Sequence, residues 1–365
     1  VHSSVSGTVT KVDNVVLSGN RPIVCVEIKP DGLQEVFEEI NPPVVDSKES
    51  FLSAIRASGL TGLGGAGFPA HVKLNPPKGT EVDTLIINGA ECEPYITSDY
   101  RECMENTDGI VEGILHVLKW IGIGKAMIGI EDNKPEAIKA LSRAVSDIPS
   151  ITVHSLPARY PQGAEKTLIY ALTGREVPSG KLPADVGCIV MNVTTASFVA
   201  SYLKTGMPLI KKRVTIDGSA VKNPQNVEVL IGTPLREVFE FCGGFKSNPE
   251  KVVMGGPMMG VSQFSLDLPV LKHTNALLAL DETQSRIPEG SACIRCARCV
   301  RACPMGLLPF ELDRLVDAKK YEEAQKIHIM DCIECGCCVY ACPAKRLMVQ
   351  SIRIGKDYIR RNTKK

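Results

Sequence analysis

Nine of the fourteen cysteines fall between Cys293 and Cys342, and eight of those nine write one spacing twice. Cys293-x2-Cys296-x2-Cys299-x3-Cys303-Pro304 is followed by Cys332-x2-Cys335-x2-Cys338-x3-Cys342-Pro343. Two-residue spacings wrap three thiolates round one cuboidal iron–sulfur cluster, and the fourth cysteine, ahead of proline, turns away toward the other cluster. The spacing therefore predicts two [4Fe–4S] clusters with exchanged fourth ligands. Cys293, Cys296, Cys299 and Cys342 would hold one, and Cys332, Cys335, Cys338 and Cys303 the other. Zinc modules use paired C-x2-C knuckles instead of four-cysteine runs that end in Cys-Pro. A disulfide framework fits poorly with such clustering in a long chain. Cys337 reads as a small filler beside the second set. Cys25, Cys92, Cys103, Cys188 and Cys242 lack ligand spacing and read as buried small hydrophobes.

The rest of the composition excludes several classes. With 42 basic against 41 acidic side chains, the chain has no overall attraction for nucleic acid, and 5% aromatic residues leave little for base stacking. A 44% hydrophobic content is that of a folded chain, and 365 residues allow two or three domains at about 150 residues each. The nearest approach to a membrane span, residues 114–130, is interrupted by His116, Lys119 and Lys125 and falls short of the roughly 20 apolar residues required. It reads as a helix followed by a buried strand. No secretory signal pattern is visible, and the opening at Val1 without Met points to a shortened N-terminus.

Five segments follow from the local patterns. Residues 1–45 read as a barrel-sandwich-like β segment, with short strands in 1–40, alternating over Val5 to Val9 and Ile23 to Ile28, turns at Ser18-Gly19-Asn20 and Pro30-Asp31-Gly32, and a linker at 41–45. SSVSGTVTKV resembles half of a lipoyl-type barrel-sandwich hybrid without a lysine displayed in its turn, which makes it structural. Residues 46–206 alternate helices with strands. Asp46 or Ser47 caps a helix carrying Phe51, Leu52, Ile55 and Leu60, and strands run over 84–88, 126–130, 151–156 and 188–193. Helices are expected near 102–119, from Pro135, and over 163–173. This alternation predicts an α/β domain with a mainly parallel sheet. Residues 207–285 have the pattern of a β-grasp (SLBB-like) module. Residues 286–350 hold the cysteine motifs, with helical periodicity at Phe310, Leu312, Leu315, Val316 and Ala324 between them. Residues 351–365 carry six basic residues against one acid and read as a basic tail, solvated or in contact with a partner or lipid.

The second concentration of chemistry is Gly59-Leu-Thr-Gly62-Leu-Gly64-Gly65-Ala-Gly67-Phe68-Pro69. It contains G-x-G-x-x-G, yet a helix precedes it where a dinucleotide fingerprint needs a strand, and Pro69 stands where the phosphate-binding helix should open. Such glycines still let backbone N–H groups approach a flat or phosphorylated ligand closely. The next strand ends Asn88-Gly89-Ala90-Glu91-Cys92-Glu93, where an open α/β sheet places its ligand crevice. Together they form a flavin pocket in outline. The Asn88 amide would meet the ring edge, and the acids would orient a nicotinamide or ribose.

GLTGLGGAGFPAHVKL (59–74) and NGAECEPYITSDYR (88–101) resemble the FMN-binding motifs of the NADH-oxidising flavoprotein subunit of respiratory complex I. The order of modules, ending in two ferredoxin motifs instead of complex I's single cluster motif, resembles the C subunit of the Rnf complex, a membrane-bound ferredoxin:NAD oxidoreductase. The resemblance implies a multidomain α/β protein. Its parts would be an N-terminal barrel-sandwich β segment, a Rossmann-like FMN/NADH-binding domain, the β-grasp module and a helical two-[4Fe–4S] ferredoxin domain. It implies that Gly62, Gly64, Gly65 and Gly67 cradle FMN, with Lys73 near its phosphate or ring edge and Phe68 flanking the stacked rings. Asn88 and Glu91 would contact the flavin and Glu93 would face the nicotinamide. Tyr160, Gly163 and Glu165 would form a second pocket loop, and Asn192 to Thr195 a further contact to the ring or phosphate. Three positions depart from complex I: Ala90 and Ala164 replace acids, and Leu63 replaces an arginine. No catalytic histidine is called for, because hydride transfer needs stacking and orientation. His71 reads as a packing residue.

As implied function, electrons pass between NAD(H), FMN and two [4Fe–4S] clusters, coupled through partner subunits to Na+ or H+ translocation. The partners would be integral membrane subunits and an iron–sulfur subunit that meets ferredoxin, with no nucleic acid. The chain would lie peripherally on the cytoplasmic face of the bacterial inner membrane. Two alternatives stay open from the residues. One is a soluble flavo-iron–sulfur reductase, such as a microcompartment cobalamin reductase. The other is an electron-transfer module without a dinucleotide site, for which Ala90 and Ala164 speak.

Overall fold

The computed structural model describes residues 1–17 and 22–363. The turn expected at Ser18-Gly19-Asn20 and the last two lysines of the basic segment lie outside them. The chain divides into two compact units: residues 1–175 with 183–285, and residues 176–182 with 286–365.

The first unit opens with an antiparallel hairpin, β1 (Gly7–Val16) and β2 (Pro22–Pro30), with a bulge between Val9 and Lys11. Helices α1 (Lys48–Ala57) and α2 (Ala70–Lys73) flank the glycine-rich segment. Ser47 is the cap of α1: its hydroxyl accepts from Ser50 N–H, and Ser50 returns the bond to the cap backbone. There follow β3 (Thr84–Gly89), α3 (Ser98–Glu105), α4 (Thr107–Ile121), β4 (Lys125–Glu131), α5 (Pro135–Ala144), β5 (Ile151–Leu156), α6 (Glu165–Thr173), β6 (Cys188–Asn192) and α7 (Val193–Thr205). The single helix expected near 102–119 is two helices. Asn106, at φ −137° and ψ 39°, leaves helical geometry between them, and its side-chain amide donates to Glu102 at 2.8 Å.

The four strands form a wholly parallel sheet in the order β5-β4-β3-β6. The runs of β3, β4 and β6 are apolar on both faces, as strands covered on both sides require: Leu85, Ile86, Ile87, Ile128, Ile130 and Ile189 are all buried. The chain steps from β3 outward to β4 and β5, then returns to the other side of β3 for β6. That reversal puts a topological switch point between β3 and β6, where open α/β sheets bind ligands at the strands' C-terminal ends.

Helices α4 and α7 pack so closely that a Cβ on Gly113 would overlap the Ala196 carbonyl oxygen. Alanine gains about 1 kcal/mol over glycine in helix propensity. Here backbone blocks it, and overpacking costs typically about 1–3 kcal/mol. Gly113→Ala is therefore expected to lower stability, and a thermal melt showing a rise would contradict this packing.

The β-grasp portion of the same unit contains β7 (Lys211–Asp217), β8 (Gln225–Leu230), α8 (Leu235–Phe241), β9 (Lys251–Met254), β10 (Val261–Gln263) and β11 (Ala276–Leu280), closed by α9 (Glu282–Ser285). Its five strands run in the order β10-β9-β11-β7-β8, with β11 parallel to β7 and the other pairs antiparallel. Val214, Ile216, Val238, Phe239 and Leu277 form its core.

The second unit is helical: α10 (Arg298–Arg301), α11 (Pro309–Asp317), α12 (Tyr321–Lys326), α13 (Cys337–Tyr340) and α14 (Met348–Thr363). Residues 176–182 join it, with Ser179 Oγ donating to Asp331 at 2.5 Å. The expected basic tail is, through Thr363, the longest helix of this unit. Ile352 and Ile359 seat it against Leu312, Leu315 and Val316 in one core, and Tyr358 stacks on Tyr321 at 3.9 Å between centroids. Six basic residues obscure that apolar stripe in the sequence. One of them, Lys356, is itself buried, donating to Cys332 O at 2.8 Å and to Glu334 at 2.5 Å.

Candidate functional site

The switch point sets the site. Asn88 at the end of β3 lies in register with Asn192 at the end of β6. Asn192 is the N-cap of α7: its Oδ1 accepts from the N–H groups of Thr194 and Thr195 at 3.0 and 3.3 Å, and its Nδ2 donates to Asp99 at 2.6 Å. Asn88 bridges two loops, donating to Gly163 O at 2.8 Å and accepting from Ala90 N–H at 3.1 Å. The 160–165 loop comes so close to the end of β3 that a Cβ on Gly163 would overlap the Ala90 carbonyl oxygen. Tyr160 lies partly buried at its start, and Glu165 opens α6.

The glycine-rich segment closes on itself above this crevice. Gly62 N–H donates to Phe68 O at 2.7 Å, Gly67 N–H to Gly62 O at 3.2 Å, and Thr61 bridges Pro69. Gly65 and Gly67, at φ +109° and +65°, take backbone shapes that side chains resist. A Cβ on Gly64 would meet the Asn192 side chain at 3.2 Å. Leu63 N–H donates to the buried Thr195 hydroxyl at 3.0 Å. Lys73, in α2, pairs with Glu165 at 2.8 Å and so ties the glycine segment to the 160–165 loop. Phe68 is about half exposed, at 48%, on the loop's rim.

All four segments singled out in the sequence thus meet at one crevice, although several side chains expected to touch a ligand are occupied by protein. Glu91 is buried and accepts from the first-turn N–H groups of α3, Asp99 at 2.8 Å and Tyr100 at 3.1 Å. Burial first, and then the neighbouring Asp99, push its carboxyl above the usual range. Glu93 accepts from Met258 N–H at 3.0 Å and Met259 N–H at 2.8 Å, clamping a β-grasp turn, and burial raises its carboxyl too.

Three groups escaped the sequence reading. Asp99 is half-buried and bonded by Asn192 and Thr194, the latter's hydroxyl donating at 2.7 Å. Lys212 of β7 is 5% exposed and donates to Leu63 O at 2.5 Å, with burial lowering its ammonium to about 8. Strand alternation was the available signal for it, since Lys212 shares a face with Val214 and Ile216. Lys272 donates to Gly59 O at 2.6 Å.

The crevice fits a flavin nucleotide on two observations. Among the described residues, the N–H groups of Gly64, Gly65 and Ala66 have no protein acceptor, and consecutive free amides form a nest for an anion. Two buried side-chain atoms also lack partners, Thr61 Oγ1 in the glycine segment and Gln162 Nε2 in the loop Asn88 holds.

The helical unit gathers the thiols in two sets. Cys293, Cys296, Cys299 and Cys342 line one hollow. Cys303, Cys332, Cys335 and Cys338 line another, with Cys337 beside them. The fourth thiol of each set comes from the other motif. Each hollow with its four thiols suits a cuboidal cluster, whose iron corners take one thiolate apiece. Burial pushes Cys335 and Cys338 up to about 12, so iron is what would keep these sulfurs deprotonated.

Three domain families match the chain in order: the Nuo51 FMN-binding domain over residues 55–201, the SLBB domain over 213–262, and the 4Fe-4S dicluster domain over 287–343. The C subunit of the proton-translocating ferredoxin:NAD(+) oxidoreductase complex of Clostridium ljungdahlii is 47% identical over 97% of this chain and 78% of its own length. The C subunit of the Na(+)-translocating complex of Acetobacterium woodii is 46% identical over 98% and 81%. The chain belongs to the Rnf C-subunit family. It carries an FMN-binding domain and a [4Fe–4S] dicluster domain. The C subunit of the ion-translocating oxidoreductase complex of Rhodobacter capsulatus is 41% identical over 98% of this chain and 70% of its own length. Among solved structures, a chain of an NAD+-reducing [NiFe]-hydrogenase shares the fold. Its TM-score is 0.59 at 20% identity, covering 85% of this chain and 63% of the hydrogenase chain.

Proposed function

We propose that this chain is the peripheral arm of a membrane-bound ferredoxin:NAD oxidoreductase, passing electrons between NAD(H) and its two [4Fe–4S] clusters by way of FMN. The observation that carries the reading is the nest of free N–H groups at Gly64, Gly65 and Ala66, poised over the switch point of the sheet in a chain that also gathers two sets of four thiols. Bound there, FMN would supply two-electron chemistry toward nicotinamide and one-electron chemistry toward iron–sulfur centres.

The chain's own part is positioning. Gly62, Gly64, Gly65 and Gly67 let the backbone approach the flavin, while Thr195 and Asn192 hold the loop from β6 and α7. Asn88 and Glu91 keep the crevice walls in register, and Lys73 with Glu165 closes one side. Phe68 and Tyr160 offer ring faces at the rim, and Glu93 fixes the turn at Met258 and Met259 that borders the nicotinamide's approach. No helix among the described residues is long and apolar enough to cross a membrane. The reading seats the chain on integral membrane subunits at the cytoplasmic face, with an iron–sulfur partner subunit relaying electrons to or from ferredoxin and ion movement left to the partners.

The test is an anaerobic visible spectrum of the purified chain, titrated with NADH and with NADPH. NADH should bleach both flavin and cluster bands. Bands that persist under NADH would reduce the chain to an electron-transfer module without its own dinucleotide site. A colourless zinc protein would overturn the reading entirely.

A further inference from the structure

The β-grasp module reaches into the glycine segment from below. Lys212 Nζ takes the Leu63 carbonyl at 2.5 Å and Lys272 Nζ takes the Gly59 carbonyl at 2.6 Å. Leu63 is held on its other side as well, its N–H donating to Thr195 Oγ1 at 3.0 Å. A trans peptide is planar, with its C=O and N–H pointing in opposite directions. The Leu63 carbonyl and the Gly64 N–H belong to one peptide. Drawing that carbonyl inward onto a buried ammonium therefore turns the Gly64 N–H outward, on a residue that is exposed. A charged donor on the oxygen also polarises the peptide and strengthens the N–H as a donor. The Gly65 and Ala66 N–H groups continue the same free row.

Lys212 stands in a region of low dielectric whose countercharge is Asp99, itself bonded to Asn192 and Thr194. A buried lysine is costly unless its donors are used. Here one is used on the backbone of the segment most open to a ligand. His273 and Asn275, from the same stretch as Lys272, lie beside the loop. A Cβ on Gly67 would be 3.2 Å from His273, and one on Gly65 would be 3.8 Å from Asn275.

We infer that Lys212 is a positioning residue that turns the Gly64 N–H outward, at the head of the free Gly64–Ala66 row, to bind phosphoryl oxygens, while Lys272 anchors the start of the same segment at Gly59, which makes the β-grasp module part of the nucleotide site. This rests on the flavin-nucleotide reading above. The phosphoryl group is that of FMN or of the dinucleotide; the chemistry is shared, and the experiment separates them.

The full chain, stripped of flavin, is titrated with FMN, riboflavin and NADH, following flavin fluorescence and NADH fluorescence, for the wild type, Lys212→Met and Lys272→Met. Methionine matches lysine in length and removes only the charge and donor; it leaves Asp99 without its countercharge and Leu63 O without its donor, so the thermal midpoint of Lys212→Met should fall. If the nest holds the FMN phosphate, Lys212→Met weakens FMN about tenfold and riboflavin less than about twofold. If it holds the dinucleotide, NADH weakens by that factor and FMN does not. Lys272→Met should move the same ligand about threefold and carries the test should Lys212→Met fail to fold. Unchanged binding of both nucleotides, or equal loss of FMN and riboflavin, overturns the inference. A wild type that binds no FMN removes the reading beneath it.

Discussion

Cys303→Ala is expected to destroy the cluster of the other motif, the one held by Cys332, Cys335 and Cys338, because Cys303 completes that hollow. Iron and acid-labile sulfide should fall by about half, and the coupled EPR signal of two neighbouring reduced clusters should become that of a single centre. Pairs of substitutions make the test decisive. With crossed ligation, Cys303→Ala with Cys332→Ala costs one cluster, whereas Cys303→Ala with Cys293→Ala costs both. With ligation inside each motif those outcomes exchange. Cys342→Ala should act reciprocally on the set of Cys293, Cys296 and Cys299. The effect on electron flow is large in either case, since one missing centre breaks a relay.

Gly163→Ala should be the most damaging single methyl group in the flavin crevice. The new Cβ would overlap the Ala90 carbonyl oxygen, which belongs to backbone at the end of β3 and cannot swing aside like a side chain. The 160–165 loop must lift, which breaks the Asn88 to Gly163 bond and draws Glu165 from Lys73. A lost hydrogen bond of this kind and the strain of overpacking each cost about 1–3 kcal/mol. FMN retention, read from flavin content after gel filtration, should drop at least about tenfold. Gly124→Ala is the matched control, because nothing lies within 4 Å of a Cβ there, and it should leave flavin content unchanged. Equal retention in the two variants would show that the loop does not frame the flavin.

What was legible in the sequence follows from what local spacing can encode. The grouping of eight thiols into two sets, each with one thiol from the other motif, stands in the spacing, because a two-residue step on a tight turn leaves the thiols few places to go. The parallel sheet stands in the apolar runs of β3, β4 and β6, which need cover on both faces. The glycine segment's use of bare backbone stands in its composition. Other features depend on what folding brings alongside. The helix expected over 102–119 breaks at Asn106, where the backbone leaves helical geometry and the side-chain amide bonds the Glu102 carboxylate, a pairing that only the folded chain shows. The basic C-terminal segment is a packed helix, because Ile352 and Ile359 find a core that only α11 supplies.

The same division runs through the site. Which residues are chemically equipped, the thiols, glycines, amides and acids, was determined by the sequence alone, since a side chain's chemistry travels with its letter. Which of their atoms remain free for a ligand was decided only by the tertiary structure. Glu91 and Glu93 spend their oxygens on backbone N–H groups, and Asn192 spends its amide on a helix cap and on Asp99. Lys212, an unremarked lysine in a strand, lies beneath the glycine loop of a module more than a hundred residues away in the chain. The physical reason is that hydrogen bonds and burial are properties of neighbours, and most of the neighbours here are distant in sequence.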